Sequence, residues 1–139
     1  MPHLTEKNLQ EEQRRLAGEI EKLLNLSKAC SRQRAIWEET LEGQRQAGRN
    51  RPQDLGLWQA YAARQLEALR KLESDLAEQE NKVNEQRQAV LRAHQECEKL
   101  KKLKERQKQA FLLAEQRREQ QILDEAGQVI YQRKRALSN

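Results

Sequence analysis

The sequence predicts an all-α protein: a long antiparallel two-helix coiled coil, an αα-hairpin, with a C-terminal helix overhang. Three observations predict it. Of 139 residues, 35% are charged and 36% belong to the apolar set AVILMFWYC, while aromatics make up only 4%. Chains built largely from Ala, Glu, Lys, Leu, Arg and Gln form extended helix or coiled coil rather than a packed globule. Five Gly and two Pro leave little turn material, and only residues 48–56 interrupt the helical pattern. On both sides of that interruption apolar residues recur about every 3.5 positions, the period of a coiled-coil seam. Together these observations exclude a β-sandwich, an α/β enzyme with a substrate pocket and a membrane protein. The longest apolar run, residues 110–114, is far short of the ~20 residues needed to span a bilayer.

The first helix is expected over residues 4–47. Its stripe runs Leu9, Gln13, Leu16, Ile20, Leu23, Ser27, Cys30, Arg34, Trp37, Leu41 and Gln44, seven of the eleven being apolar. A loop over residues 48–54 follows. Pro52 has no backbone N–H and disfavours helical geometry at Arg51, Gly48 suits a helix stop, and Asp54 suits an N-cap. The second helix is expected over residues 55–135, unpaired beyond about residue 100. Its stripe is Leu55, Trp58, Ala62, Gln65, Leu69, Leu72, Leu76, Gln79, Val83, Gln86, Val90, Ala93, Cys97 and Leu100, with eleven of fourteen apolar. Gln and Ser within a seam weaken it but help to fix its register.

A short loop between two long seams favours folding back. A fold near residue 51 opposes residues whose numbers sum to roughly 102, setting Trp37 against Gln65 and Gln44 against Trp58. Cys30 and Cys97 would then lie roughly 35–40 Å apart along the axis, too far to bridge. With no apolar leader in MPHLTEKNLQEE, a reducing cytoplasmic setting with two free, buried thiols is expected. About 35 residues of the second helix, ~50 Å of helix, have no partner within the chain, and isolated helix is marginal in water.

The formal charge is +5, from 27 Lys and Arg against 22 Asp and Glu. It is not spread evenly. Residues 1–47 hold eight basic and eight acidic side chains, residues 48–100 nine and nine, and residues 101–139 ten and five. The surplus therefore sits on the overhang, led by Lys101, Lys102, Lys104, Arg106 and Lys108 and closed by Arg133, Lys134 and Arg135. A solvated helix face is the ordinary meaning of a charge run. A protein-docking arm is the functional reading. Nucleic acid is disfavoured because residues 115–125 carry a net negative charge and no groove-reading motif is present.

Nothing in the sequence supports catalysis. His3 and His94 are isolated, and there is no phosphate-cradling Gly-rich loop and no metal-ligand spacing. Carboxylates on a solvated helix are ordinarily partners in i,i+4 ion pairs. No enzymatic activity, cofactor, metal or direct small-molecule substrate is expected.

Two stretches carry a family resemblance: CEKLKKLKER at residues 97–106 and LLAEQRREQQILDEA at residues 112–126. The chain resembles the flagellar FliJ family, which shows a K-x-L-x-x-L-K-E-type stretch followed by an E-x-R-x-E-Q-K-x-L-D-E-x-A-type stretch. Gln121 stands where Lys is usual. The injectisome stalk proteins of the YscO/HrpO group share the architecture. The resemblance implies a non-enzymatic central-stalk and chaperone-escort component of a type III protein export apparatus, cytoplasmic and peripheral to the inner membrane. The implied partners are a hexameric export ATPase, the cytoplasmic domain of an export-gate membrane protein, and export chaperones. Leu100, Lys101, Lys102, Leu103, Lys104 and Arg106 are the candidates for the ATPase side. Tyr61, Gln65, Ala68 and Leu72 match the face implied for gate contact, although Gln65 and Leu72 are equally expected as seam residues. From composition and periodicity alone, a generic coiled-coil adaptor or a parallel homodimer with some nucleic-acid affinity remains the alternative.

Overall fold

A computed structural model describes residues 2–138, and their side chains from Leu4 onward. Helix α1 covers Pro2–Asn50, a 3-10 turn covers Pro52–Asp54, and helix α2 covers Leu55–Ser138. No strand occurs among the described residues. The described residues group into two units that divide between His94 and Gln95.

The first unit is the antiparallel hairpin. Its turn is tighter than the sequence suggests. Gly48 does not stop α1, because no glycine among the described residues adopts the positive φ of an αL cap. The helix instead runs on to Asn50, and Arg51 N–H still donates to the Ala47 carbonyl at 2.8 Å. Arg51 then leaves helical geometry (φ −142°, ψ 74°), as the following Pro52 requires. Asp54 does not cap α2 from outside. It lies in the 3-10 turn, and its N–H donates to the Arg51 carbonyl at 3.0 Å.

All fourteen expected seam positions of α2 are buried or half-buried. Leu69, Val83 and Ala93 are each under 5% exposed. In α1 one of the two heptad rows is as expected: Leu9, Leu16, Leu23, Cys30, Trp37 and Gln44 face inward. The other row holds only in part: Ile20 and Leu41 are half-buried as expected, whereas Gln13, Ser27 and Arg34 are exposed, and the row one residue earlier, Glu12, Glu19, Leu26, Gln33, Thr40 and Ala47, turns inward. Thr40 is buried and satisfies its hydroxyl by donating to the Ile36 carbonyl at 2.7 Å.

The pairing register also differs from the expected one, by about one helical turn. Gln65 lies against Gln33 rather than Trp37, Gln79 against Glu19, and Gln86 against Glu12. Gln33 donates its Nε2 to the Gln65 backbone carbonyl at 3.1 Å, Gln79 to that of Glu19 at 2.9 Å and Gln86 to that of Glu12 at 3.1 Å. Each also donates to the partner's side-chain oxygen. The physical reason lies in the amides. The expected register would have set Gln33 against Leu69, Gln79 against Leu23 and Gln86 against Leu16, leaving three partly buried amides without acceptors, each costing about 1–3 kcal/mol. The observed register gives every one of them an acceptor. The ion pair between Arg34 and Glu73 at 2.9 Å ties the flank of the same pairing.

Near the turn the two helices approach closely. A methyl group on Gly43 would lie 2.5 Å from two ring carbons of Trp58, well inside van der Waals contact. Only glycine lets the indole approach α1 this closely.

Candidate partner-binding surfaces

The gate candidates divide by geometry. Gln65 is half-buried and its amide is engaged by Gln33, while Leu72 is half-buried in the seam. Tyr61 and Ala68 are exposed. Positions 57, 61, 64 and 68 share one helix face by their spacing, so Leu57 and Arg64 join Tyr61 and Ala68 on the open side of α2. Leu57 is 75% exposed and Tyr61 46%. With Trp58 and Asp54 they line a shallow surface recess beside the turn. Leu57 is a residue the seam pattern overlooks. Its signal is a large apolar side chain one position before the seam residue Trp58, with no heptad role of its own.

The second unit contains the ATPase candidates. Leu100 is half-buried, whereas Lys101, Lys102, Leu103, Lys104 and Arg106 are all exposed. Lys101 pairs with Glu98 at 3.7 Å along the same helix, a solvent-exposed pair worth little. Between residues 101 and 138 every described side chain is exposed except Glu115, which is half-buried. Large apolar groups are among them: Phe111, Leu112, Leu113, Ile122, Leu123, Val129, Ile130 and Tyr131 each show about half or more of their surface. The segment therefore presents basic and apolar groups together.

No group of three His, Cys, Asp or Glu side chains among the described residues could hold a metal ion. Cys30 and Cys97 are both free and buried, and burial pushes the Cys30 thiol up, away from the reactive thiolate. No described helix is long and apolar enough to cross a membrane.

A comparison with sequence profiles of known families decides the family. The profile described as the flagellar FliJ protein matches residues 3–136. The chain belongs to the FliJ family. Neither a curated protein nor a solved structure matches it. FliJ membership makes this chain a component of the flagellar export apparatus, with its partners inside that apparatus. The match also extends through α1, beyond the two stretches at residues 97–106 and 112–126.

Proposed function

We propose that this FliJ-family protein is the non-enzymatic stalk of its export machine, docking through its second unit into a hexameric export ATPase and linking that ring to the export gate. The observation that carries the reading is the concentration of exposed basic side chains at Lys101, Lys102, Lys104 and Arg106, flanked by Leu100 and Leu103. Residues 1–100 balance their charges. A docking element for an acidic, partly apolar surface needs this pairing of basic heads with apolar anchors, because the charges steer encounter and the anchors hold.

Gate contact falls to Tyr61 and Ala68, with Leu57 and Arg64 beside them on the same open face. Gln65 and Leu72 act indirectly, by holding α2 in register with α1. Chaperone escort would use exposed helix surface of the same kind. The location that follows is cytoplasmic, peripheral to the inner membrane at the apparatus.

Binding to the cognate ATPase tests the docking assignment. Charge reversal of Lys101, Lys102, Lys104 and Arg106 to Glu is expected to abolish binding and leave the circular dichroism of the hairpin unchanged. Undiminished binding by that variant would refute it. Tyr61→Ala and Leu57→Ala are expected to weaken gate-domain binding and spare the ATPase. Equal loss toward both partners would contradict separate surfaces.

A further inference from the structure

The second unit carries an apolar stripe that is complementary to itself when reversed. At ~100° per residue, Ile122, Leu123, Ala126, Val129 and Ile130 fall within one arc of about 120° of the helix surface. Ile122, Leu123, Val129 and Ile130 are 58%, 65%, 48% and 56% exposed. Glu119 and Arg133 lie on the same arc at its two ends and are also exposed. The stripe has a centre of symmetry at Ala126. Leu123 and Val129 lie three residues to either side, Ile122 and Ile130 four, and Glu119 and Arg133 seven.

We infer that a second copy of this chain covers the stripe, packed antiparallel about Ala126. In that arrangement Ile122 meets Ile130 of the second copy, Leu123 meets Val129, and Ala126 meets Ala126 next to Gly127, a position with no atom within 4 Å of where a Cβ would stand. Each Glu119 faces the opposing Arg133, so charge and apolar complementarity coincide in one register. A parallel, in-register pair would instead set Glu119 against Glu119 and Arg133 against Arg133. Within one chain Glu119 and Arg133 are fourteen residues apart, about 21 Å along the helix, and neither forms an ion pair among the described residues. Their complementarity can be satisfied only between molecules. The paired surface is small beside the ~1,200–2,000 Å² of a stable interface, so the association is weak and depends on concentration. It also gives a marginal helix the partner that orders it. This inference rests on the stripe alone and not on the ATPase reading.

Sedimentation equilibrium of the full chain tests it. The mean mass is expected to rise from 16.4 kDa toward twice that value with concentration. Glu119→Arg and Arg133→Glu each turn two attractions per dimer into two repulsions, and each is expected to weaken association by about tenfold or more. The double variant restores opposite charges across the pair and is expected to return association to near the wild-type value. All these positions are exposed, so the hairpin is left intact. A mass of 16.4 kDa at every concentration overturns the inference. So does association indifferent to the single reversals, or a double variant no better than the singles.

Discussion

Replacing Gly43 with Ala separates two effects that usually travel together. In a helix interior Ala is favoured over Gly by about 0.5–1 kcal/mol, because glycine loses more backbone freedom on folding. Gly18 collects that gain without penalty: nothing lies within 4 Å of where its Cβ would stand. At Gly43 the same methyl would stand 2.5 Å from two ring carbons of Trp58, about 1 Å inside ordinary contact. Such overpacking costs about 1–3 kcal/mol. Gly18→Ala should therefore stabilise the hairpin by about 0.5–1 kcal/mol, and Gly43→Ala should leave it unchanged or destabilise it by up to about 2 kcal/mol. Urea unfolding followed by tryptophan fluorescence, which reports on Trp37 and Trp58 in the hairpin, measures both. A Trp58→Ala background closes the cycle: with the ring removed, Gly43→Ala should recover the gain seen at Gly18. If Gly43→Ala stabilises the protein with Trp58 in place as much as Gly18→Ala does, the indole does not lie on α1 and the close approach at the turn is wrong.

Three further outcomes follow from the seam. Gln79→Ala removes the donor to Glu19 and should cost about 1–3 kcal/mol, whereas changing Gln79 and Glu19 together to Leu should be close to neutral in stability, a contrast that urea midpoints resolve. The Gln79 amide, helped by Lys22 and Lys82, holds the Glu19 carboxyl below its usual value. The stability it contributes is therefore present above the ordinary glutamate range and lost as pH falls through the lowered value. An acid titration of stability should be flatter in Gln79→Leu than in the parent. Leu69, 3% exposed in the hairpin, should cost about 2–5 kcal/mol when cut to Ala, and Leu103, 51% exposed, close to nothing. A comparable cost at both positions would mean that Leu103 is packed in solution.

The helices and their hairpin pairing were legible because a 3.5-residue repeat is a long-range statistical signal, carried by many residues at once. The α2 row survived to the last position for that reason. In α1 one row survived whole and the other only at Ile20 and Leu41, since Gln13 and Arg34 look no worse as seam residues than Glu12 and Gln33. What separates the two choices is a partner on the other helix. Gln33, Gln79 and Gln86 need acceptors, and sliding α2 until these amides face Gln65, Glu19 and Glu12 respectively gives the observed register. Counting loop residues could not reveal this, because the turn itself shifted: Gly48 stayed helical and Asp54 entered a 3-10 turn. Among the surface candidates, periodicity could not distinguish Gln65, whose amide is occupied, from Tyr61, which is open. It also passed over Leu57, whose significance lies in its exposure. The basic surplus was fully legible, because charge per segment is a count and needs no geometry.

The stalk role requires that the basic segment act on the export ATPase. Titration of the intact protein into that ATPase, with hexamer formation and ATP turnover followed together, is the direct measurement. Both are expected to rise to saturation with the parent protein and to stay at the basal level with Lys101, Lys102, Lys104 and Arg106 changed to Glu. A parent protein that moves neither quantity, or a charge-reversed variant that moves both as well as the parent does, contradicts the stalk.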